Sequence, residues 1–340
     1  MDTPLIPEIS VIMPVYNCRQ YIEESVSSII NQTFTGFEFI IIDDCSTDGT
    51  FEYLKTLTDQ RIKLIRKPQN TGYTVSLNMG LEMATGKYIA RMDGDDISFT
   101  DRFEKQVDFM DRNPDVVVCG GGYVAIGSNF KFVPKISYED IISDLMSVSP
   151  FAHPTVFIRN SILKLHKIQY NTRYEPAEDY QLWTILAEYG KLANLNDIIL
   201  YYRIHQNQTS NLRGKTQLEI GKLISSEYIK SLSNGNIDAD RFSNPKILTA
   251  EDLKKYETIE SDIRSALSKR GIRINDKFFL ERKAQYLKEG LTQQGYSILQ
   301  AIKDLKLIYT NKMLLWSNFI FKYLVKSLMF WKASVRPKSV

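Results

Sequence analysis

Three carboxylates fall within four positions of the stretch YIARMDGDDISF, residues 88 to 99: Asp93, Asp95 and Asp96. Like charges a few ångströms apart repel, and each raises the cost of ionising its neighbours unless a cation or a set of donors compensates. Hard divalent cations such as Mg²⁺ and Mn²⁺ prefer carboxylate oxygens, and Mg²⁺ is commonly held by carboxylates together with substrate phosphates. The stretch therefore favours a metal site over the alternative, a polar turn that caps a helix beginning near Asp101.

A second acidic group, Glu175, Glu178 and Asp179, stands in EPAEDYQLW just before an apolar helix. Acidic residues in a first helical turn are favourable by themselves, because they face the positive end of the helix dipole. An Asp with an ordinary pKa of about 4 is also ionised and ready to act as a base at neutral pH. Of His153 and His205, either could be structural, and His205, within a polar run, is the better candidate for a ligand to a metal or phosphate.

Two further segments place polar or aromatic groups at strand ends. VIMPVYNC puts Tyr16 where it could stack on a planar base, although in isolation a ring at the core edge beside Asn17 as a helix N-cap is the favoured interpretation. In IIDDCSTDGT, Asp43 or Asp44 could accept the N–H donors of uracil or guanine, and Asp48 is assigned to capping the next helix.

The segment CGGGYVAIG contains Gly120-X-Gly122-X-X-Ala125, which is formally a dinucleotide-binding fingerprint. That motif has to open a helix, and the following IGSNFKFVPKIS does not. A glycine-rich turn is the expected structure here.

The first half of the chain alternates apolar runs with amphipathic segments. The expected strands are residues 9–13, 37–43, 62–66, 87–92 and 116–120, and the expected helices run about 19–31, 48–57, 74–84 and 101–112. This alternation predicts a mostly parallel sheet flanked by helices, with ligands outside the carboxyl ends of the strands. Both acidic strand ends, Asp43-Asp44 and Asp93 to Asp96, then point at the same rim.

The second half is less regular. Residues 151–211 give an irregular pattern, and the chain beyond Gly214 looks helical, with a turn-rich linker at 233–245 and a capping box at Thr249 to Asp252 before a further helix.

The composition is that of an ordinary globular protein of 340 residues, with 43% hydrophobic and 24% charged residues. Disordered, collagen-like and disulfide-rich classes are excluded. Three cysteines without metal-ligand spacing and an N-terminus without the build of a signal peptide lead us to expect a reducing, cytoplasmic compartment. The two Asn-X-Thr matches, at Asn31 and Asn207, are then expected to be chance.

The formal charge of +3 conceals an asymmetry. After Asp304 the chain has no acidic residue and seven basic ones: Lys306, Lys312, Lys322, Lys326, Lys332, Arg336 and Lys338. The apolar run from Met313 to Trp331 is about as long as a membrane-spanning helix, which needs roughly 20 residues. Asn318, Lys322 and Lys326 interrupt this run, and their spacing would place them in one polar stripe along a helix. We expect peripheral contact with an anionic membrane face; the alternative is a helix packed on the protein.

Taken together, these segments resemble a family 2 glycosyltransferase of the GT-A fold over residues 9 to about 211. The matching segments are SVIMPVYNCRQYIEESVSSIINQTF, FEFIIIDDCSTDGT, NTGYTVSLNMGLEMATGKYIARMDGDD, HPTVFIR and AEDYQLW. Their number, order and spacing make the resemblance specific.

The resemblance implies an inverting sugar transfer from a nucleoside diphosphate sugar, with UDP favoured, to a hydroxyl of a glycan or lipid-linked acceptor in cell-surface polysaccharide assembly. Its motifs assign roles to seven positions: Pro14, Tyr16, Asp44 and Asp93 to the nucleotide sugar, Asp95 and His205 to Mn²⁺ or Mg²⁺, and Asp179 to the catalytic base. The family's acidic motif often has Ala at the position of Gly94, a difference that we expect to be small.

The resemblance stops before the C-terminal third. We expect a GT-A domain at 1–212, a helical extension at 213–304 and a basic, aromatic-rich tail at 305–340. Nucleic acid is not an expected partner. Two alternatives remain open, a phosphatase of the haloacid-dehalogenase type, suggested by Asp93-X-Asp95 after a strand, and a non-catalytic nucleotide-sugar-binding scaffold.

Overall fold

The computed structural model describes residues 7–206, 208–233, 237–243 and 250–283. The chain divides between Tyr228 and Ile229 into two compact units. The expected boundaries at 212/213 and 304/305 stay predictions. The basic tail at 305–340 and the capping residue Thr249 lie outside the described residues.

The first unit contains a sheet and the helices that flank it. The strands are β1 Ile9–Val15, β2 Phe37–Asp43, β3 Ile62–Arg66, β4 Tyr88–Arg91, β5 Ile97–Ser98, β6 Val116–Ala125, β7 Lys131–Phe132, β8 Phe157–Arg159 and β9 Lys191–Tyr202. The helices are α1 Ile22–Ile30, α2 Thr50–Leu54, α3 Tyr73–Met83, α4 Arg102–Arg112, α5 Tyr138–Leu145, α6 Asn160–His166, α7 Glu178–Leu186 and α8 Thr209–Leu232, which crosses into the second unit.

The sheet is mixed. Its order is β3-β2-β1-β4-β8-β6-β9-β5, with β7 paired to β6. The first four strands are parallel, as expected, whereas β8 runs antiparallel to both β4 and β6, and β5 runs antiparallel to β9. Every residue of β1, β2 and β4 is buried, because helices cover both faces of this part of the sheet.

The parallel register brings three strand ends to one edge. Val15 of β1 lies beside Asp43 of β2, and Ile12 lies beside Arg91 of β4. The loops that follow these strands therefore leave the sheet together. The expectation that both acidic strand ends share one rim is confirmed.

Residues 151–211 are more regular than their sequence indicates. They contain β8, α6, α7 and the twelve-residue strand β9. Strand β9 has the sequence KLANLNDIILYY, in which Asn194, Asn196 and Asp197 interrupt the apolar alternation. Its pairing with β6 shifts register at several points, so the chain departs from the two-residue period by which a strand is recognised.

The expectation of a glycine-rich turn at residues 119–127 is wrong for residues 119–125, which lie inside β6 with Gly120, Gly121 and Gly122 among them. A Cβ atom at Gly120 would approach Asn194 Oδ1 to 2.4 Å, and one at Gly121 would approach Ile199 Cδ1 to 2.6 Å. These glycines permit close packing of β9 on β6. A glycine-rich segment looks the same in the sequence whether it forms a turn or a closely packed strand.

The second unit is helical where it is described. It contains α9 Ala239–Ser243 and α10 Ala250–Lys269, and Phe242 stacks on Tyr256 with ring centroids 5.6 Å apart. The linker expected at 233–245 is therefore partly helix. Among the residues described, we find no helix with the length and apolar character needed to cross a membrane.

Candidate functional site

The loop after β1 presents an aromatic ring to solvent. Tyr16 is half exposed, so it is not a ring packed at the core edge. Asn17 does not cap α1, which begins at Ile22; it has a φ of 49°, and its Oδ1 accepts the Thr47 N–H at 2.8 Å. Asn17 thus joins the loops after β1 and β2 and leaves Tyr16 free to meet a ligand. Pro14 lies within β1, beside Ile42 of β2.

The two carboxylates after β2 have different surroundings. Asp43 is fully buried and accepts the Ser46 N–H at 3.2 Å, which makes it part of the loop's own structure. Asp44 forms a buried ion pair with Lys67 at 2.6 Å and accepts the Thr71 N–H at 2.9 Å. Both contacts fall on Oδ1 of Asp44, and they fix this carboxylate at the edge where the nucleobase contact is expected.

The acidic loop after β4 forms a compact group of oxygens. One ligand atom from each of Asp93, Asp95 and Asp96 can be chosen so that all three lie within 4.8 Å of one another. Asp93 is paired with Arg91, and Asp96 Oδ1 accepts the backbone N–H of Arg203 at 2.9 Å. The same three carboxylates were grouped from the sequence as an expected metal site, although the family resemblance assigned roles only to Asp93 and Asp95.

The charges of this loop are incompletely compensated by protein groups. Burial raises the pKa of Asp96 well above its usual range, and the charges of Asp93 and Asp95 add to the rise. Burial also raises the pKa of Asp93, although Arg91 opposes it. The Oδ2 atom of Asp96 is buried without a hydrogen-bond partner among the residues described. A hard divalent cation fits this set of carboxylate oxygens, because it would satisfy the buried oxygen and favour the ionised forms.

His205 reaches the acidic loop from far along the chain. Strand β5 pairs with β9, which places Ile97 beside Tyr201 and brings the residues after β9 over the loop. His205 Nε2 lies 2.8 Å from Asp95 Oδ2, and its ring lies against Tyr21. Asp95 and His205, the two residues that the family resemblance assigned to the metal ion, are therefore in contact in the fold.

Gly94 is more constrained than expected. A Cβ atom at this position would lie 2.9 Å from Val15 Cγ1 and 3.1 Å from Cys18 Sγ. Val15 is a β-branched residue that is buried in the core, so it has little freedom to move aside. In this chain the acidic loop is packed directly on the end of β1.

The first turn of α7 carries two adjacent acids. Burial raises the pKa of Asp179 to about 6, and the charge of Arg91 opposes the rise. Burial and the charge of Asp179 raise the pKa of Glu178 to about 8, and Glu178 accepts a hydrogen bond from the Tyr73 hydroxyl at 2.8 Å. At neutral pH, Asp179 is the ionised member of this pair.

Arg91 and Lys67 also belong to the candidate site, and they were not predicted from the sequence. Arg91 is a buried cation on β4 whose charge acts on Asp93, Asp96 and Asp179. A signal was available, because Arg91 is a charged residue in an apolar strand. Lys67 had no comparable signal, since a lysine after a strand is ordinary. His153 is partly buried, its Nε2 atom lies 2.9 Å from the Tyr170 hydroxyl, and desolvation lowers its pKa well below the usual value, as for a structural histidine.

The glycosyl transferase family 2 model matches residues 10–175. An uncharacterised glycosyltransferase of Haemophilus influenzae is 38% identical over 238 residues, which is 66% of this chain and 73% of that protein. This chain belongs to glycosyltransferase family 2. The Escherichia coli enzyme WfaP, a UDP-Glc:alpha-D-GlcNAc-diphosphoundecaprenol beta-1,3-glucosyltransferase, is 30% identical over 66% of this chain and 88% of its own.

Solved structures agree on the fold. TarS 1–349 of S. aureus, in complex with UDP-GlcNAc, has a TM-score of 0.55 at 21% identity and covers 82% of this chain and 78% of its own. The mannosyltransferase PcManGT of Pyrobaculum calidifontis, in complex with GDP-Man and Mn²⁺, has a TM-score of 0.51 at 18% identity, with coverage of 88% and 87%. The GT-A fold is confirmed, the chain is a glycosyltransferase enzyme, and the phosphatase and scaffold alternatives are set aside.

Proposed function

We propose that this glycosyltransferase moves a sugar, with inversion, from a nucleoside diphosphate sugar to a hydroxyl of a lipid-linked or polysaccharide acceptor. The observation that carries the proposal is that two separate acidic groups lie close enough to the same buried cation, Arg91, for its charge to act on both. The loop at Asp93 to Asp96 is arranged for a cation, and Asp179, a separate carboxylate on α7, is ionised at neutral pH.

The nucleotide side of the donor is assigned to the rim after β1 and β2. Tyr16 offers an exposed ring on which a base can stack, and Pro14 lies directly before it in β1. Asp44 is held at this rim by Lys67 and is the acceptor for a base N–H. Asp93, at the end of β4, is assigned to the ribose.

Asp95 and His205, with Asp93 and Asp96 beside them, are the residues that would hold Mn²⁺ or Mg²⁺. Such an ion supplies positive charge that stabilises a departing diphosphate. The donor set supports a hard ion, because three of its four side chains are carboxylates.

Asp179 is assigned to proton removal from the acceptor hydroxyl. As its carboxylate takes the proton, the hydroxyl oxygen forms a bond to the anomeric carbon. The bond from that carbon to the diphosphate oxygen breaks, and the electron pair leaves with the nucleoside diphosphate. A single displacement of this kind inverts the anomeric configuration. A carboxylate with a pKa of about 6 is a stronger base than an ordinary Asp and is still ionised at pH 7.

The activities of relatives support a UDP-sugar donor and a lipid-linked acceptor. WfaP uses UDP-Glc and acts on a diphosphoundecaprenol-linked sugar, and TarS was solved with UDP-GlcNAc. The basic tail at 305–340, outside the described residues, supports peripheral attachment to the inner face of the cell membrane, where such an acceptor is anchored.

A donor screen tests the proposal. UDP-glucose, UDP-N-acetylglucosamine, UDP-galactose and GDP-mannose are each added with Mn²⁺, with Mg²⁺ and with EDTA, and thermal unfolding is followed. A donor at 100 times its dissociation constant should add about 2.7 kcal/mol of stability when the ion is present. The bound donor is then offered undecaprenyl-diphosphate-linked N-acetylglucosamine, and the product linkage is read by NMR. Stabilisation by no member of the panel, or a retained anomeric configuration, overturns the proposal.

A further inference from the structure

Glu178 is a buried carboxyl for which the proposed mechanism has no use. Its side chain is 2% exposed, and it directly precedes the proposed base in the first turn of α7. Helix-dipole stabilisation explains an exposed acid in a first turn, but a buried one also bears a large desolvation cost. A second reason for its presence is therefore needed.

Three side chains of α3 form hydrogen bonds with α7 and with the segment that precedes it. The Tyr73 hydroxyl donates to Glu178 Oε2 at 2.8 Å, and the Thr74 hydroxyl donates to Glu175 Oε2 at 3.0 Å. Further along α3, the Asn78 side chain exchanges two hydrogen bonds with the backbone of Tyr170, at 2.8 and 2.9 Å. The Tyr73 contact is the one that reaches the acid pair itself.

The same end of α3 continues into the nucleotide rim. Thr71, two residues before Tyr73, donates its N–H to Asp44, and Lys67 pairs with Asp44 and donates to Ser76 of α3 at 3.0 Å. Asp44, assigned to the nucleobase, is thus held by Thr71 and Lys67 just before α3, and Glu178 is held by Tyr73 at the start of α3.

Burial and the charge of Asp179 favour the neutral form of Glu178, and they outweigh the Tyr73 hydrogen bond and the charge of Arg91, which favour its ionised form. Four titratable groups interact electrostatically with Glu178: Asp179 in the same turn, Tyr73 on α3, Arg91 on β4 and Tyr170 before α7. The charge of Glu175 also acts on Tyr73. Only Arg91 among these is a cation, and it is already paired with Asp93. A neutral Glu178 still accepts the Tyr73 hydrogen bond through its carbonyl oxygen and adds no charge beside Asp179.

We propose that Glu178 works as an uncharged positioning residue: the Tyr73–Glu178 hydrogen bond holds the first turn of α7, and Asp179 is left as the one carboxylate of the pair that takes the acceptor's proton. The role assigned to Asp179 rests on the proposed function, whereas the neutral state of Glu178 does not. Ionisation of Glu178 would place two adjacent charges in a partly buried turn, push Glu178 toward water and displace Asp179 with it.

The charge state is measured first, without substrate. Protein labelled with ¹³C at the glutamate carboxyl carbons is titrated by NMR, so that the aspartates of the acidic loop give no signal, and the resonance missing from Glu178→Gln identifies Glu178. We expect its midpoint near 8, against about 4.3 for an ordinary glutamate. A midpoint below about 5 overturns the proposal, because Glu178 would then be charged at neutral pH.

The positioning role is measured by kcat and its pH profile, with a donor from the screen. Glu178→Gln copies the neutral carboxyl and should keep most of the wild-type kcat, whereas Glu178→Ala should lose it. Tyr73→Phe should lower kcat by about fivefold to tenfold, as expected for one lost hydrogen bond. In the wild type, kcat should fall above about pH 8 as Glu178 loses its proton; in Glu178→Gln this alkaline decline should be absent.

Tyr174→Phe is the matched control. It removes a second tyrosine–glutamate hydrogen bond, from the Tyr174 hydroxyl to Glu227 Oε2 at 2.7 Å, that does not touch the acid pair. Its kcat and pH profile should match the wild type. A Glu178→Gln variant as inactive as Asp179→Asn overturns the proposal, whereas an active Asp179→Asn variant would instead refute the proposed base and leave the NMR result standing.

Discussion

At the residue scale, each acid of this site is distinguished by its surroundings. Asp44 has a buried lysine beside it, Asp95 has His205, and Asp179 has buried surroundings with the charge of Arg91 nearby. These neighbours come from different strands, helices and loops, so that carboxylates of one residue type have different electrostatic surroundings. Two predictions follow at this scale, one for the acidic loop and one for the base.

Replacement of Asp95 with Ala should abolish sugar transfer and leave the fold intact. The change removes an oxygen from the proposed cation site and the hydrogen-bond partner of His205. Transfer is measured with Mn²⁺ and with EDTA, and folding is checked by thermal unfolding. Asp108→Ala, at an exposed acid on α4, is the control and should behave like the wild type. Wild-type activity in EDTA equal to that in Mn²⁺ would contradict a metal role.

The rate of transfer should fall as the pH is lowered through about 6. In the proposed mechanism Asp179 acts in its ionised form. Burial raises its pKa to about 6, so protonation would remove the base in a pH range where an ordinary Asp would still be charged. Asp179→Asn should lower kcat by roughly 10² to 10⁴ with donor binding retained. The pH profile of kcat and a donor titration check these results. A profile that stays flat down to about pH 5 would assign the role of base to another group.

The site residues that could be predicted from the sequence are those that lie close together in the chain or follow parallel strands. Asp93, Asp95 and Asp96 could be grouped because they are neighbours in the chain, and Tyr16 and Asp44 because they follow parallel strands. Lys67 and Tyr73 carry no such signal, since their contacts depend on how α3 approaches β2 and α7. The charge states of Glu178 and Asp179 were also out of reach, because they follow from burial.

At the element scale, strands β1 to β4, the first half of β6 and helices α1 to α4 were predicted from the sequence, and the remaining strands were not. Strands β1, β2 and β4 are buried on both faces, and each is an apolar run with sharp ends in the sequence. Strand β9 is long, polar in its middle and irregularly paired, and the glycines of β6 that receive it look like a turn in the sequence. Both exceptions are explained by packing between strands that are distant in the chain.

The ion pair between Lys67 and Asp44 joins the loops that follow β3 and β2, and its loss should lower the stability of the fold. Lys67→Met leaves a buried carboxylate uncompensated and should destabilise the fold by about 3 to 5 kcal/mol. Asp44→Asn together with Lys67→Met removes both charges and should recover much of that stability. Urea unfolding of the single and double variants gives the comparison. A double variant no more stable than Lys67→Met would show that the pair is not the source of the loss.

At the scale of the whole molecule, charge is unevenly distributed along the chain. The basic residues after Asp304 have no acidic neighbours, and the aromatic residues among them are Tyr309, Trp316, Phe319, Phe321, Tyr323, Phe330 and Trp331. A helix packed against its own protein has no need of an unbroken excess of positive charge. An anionic leaflet attracts such a segment by about 1 kcal/mol per basic residue near its surface, and aromatic rings suit the membrane interface.

Deletion of residues 310–340 should therefore release the enzyme from anionic vesicles without loss of donor hydrolysis. Sedimentation with phosphatidylglycerol vesicles measures binding, and vesicles of phosphatidylcholine alone give the charge-independent part. In the full-length chain, Lys322→Glu with Lys326→Glu should weaken binding to the anionic vesicles and leave any binding to neutral ones unchanged, because these changes remove attraction to the leaflet and keep the apolar surface. Equal sedimentation of the full-length and truncated proteins would mean that the tail does not attach the enzyme to the membrane.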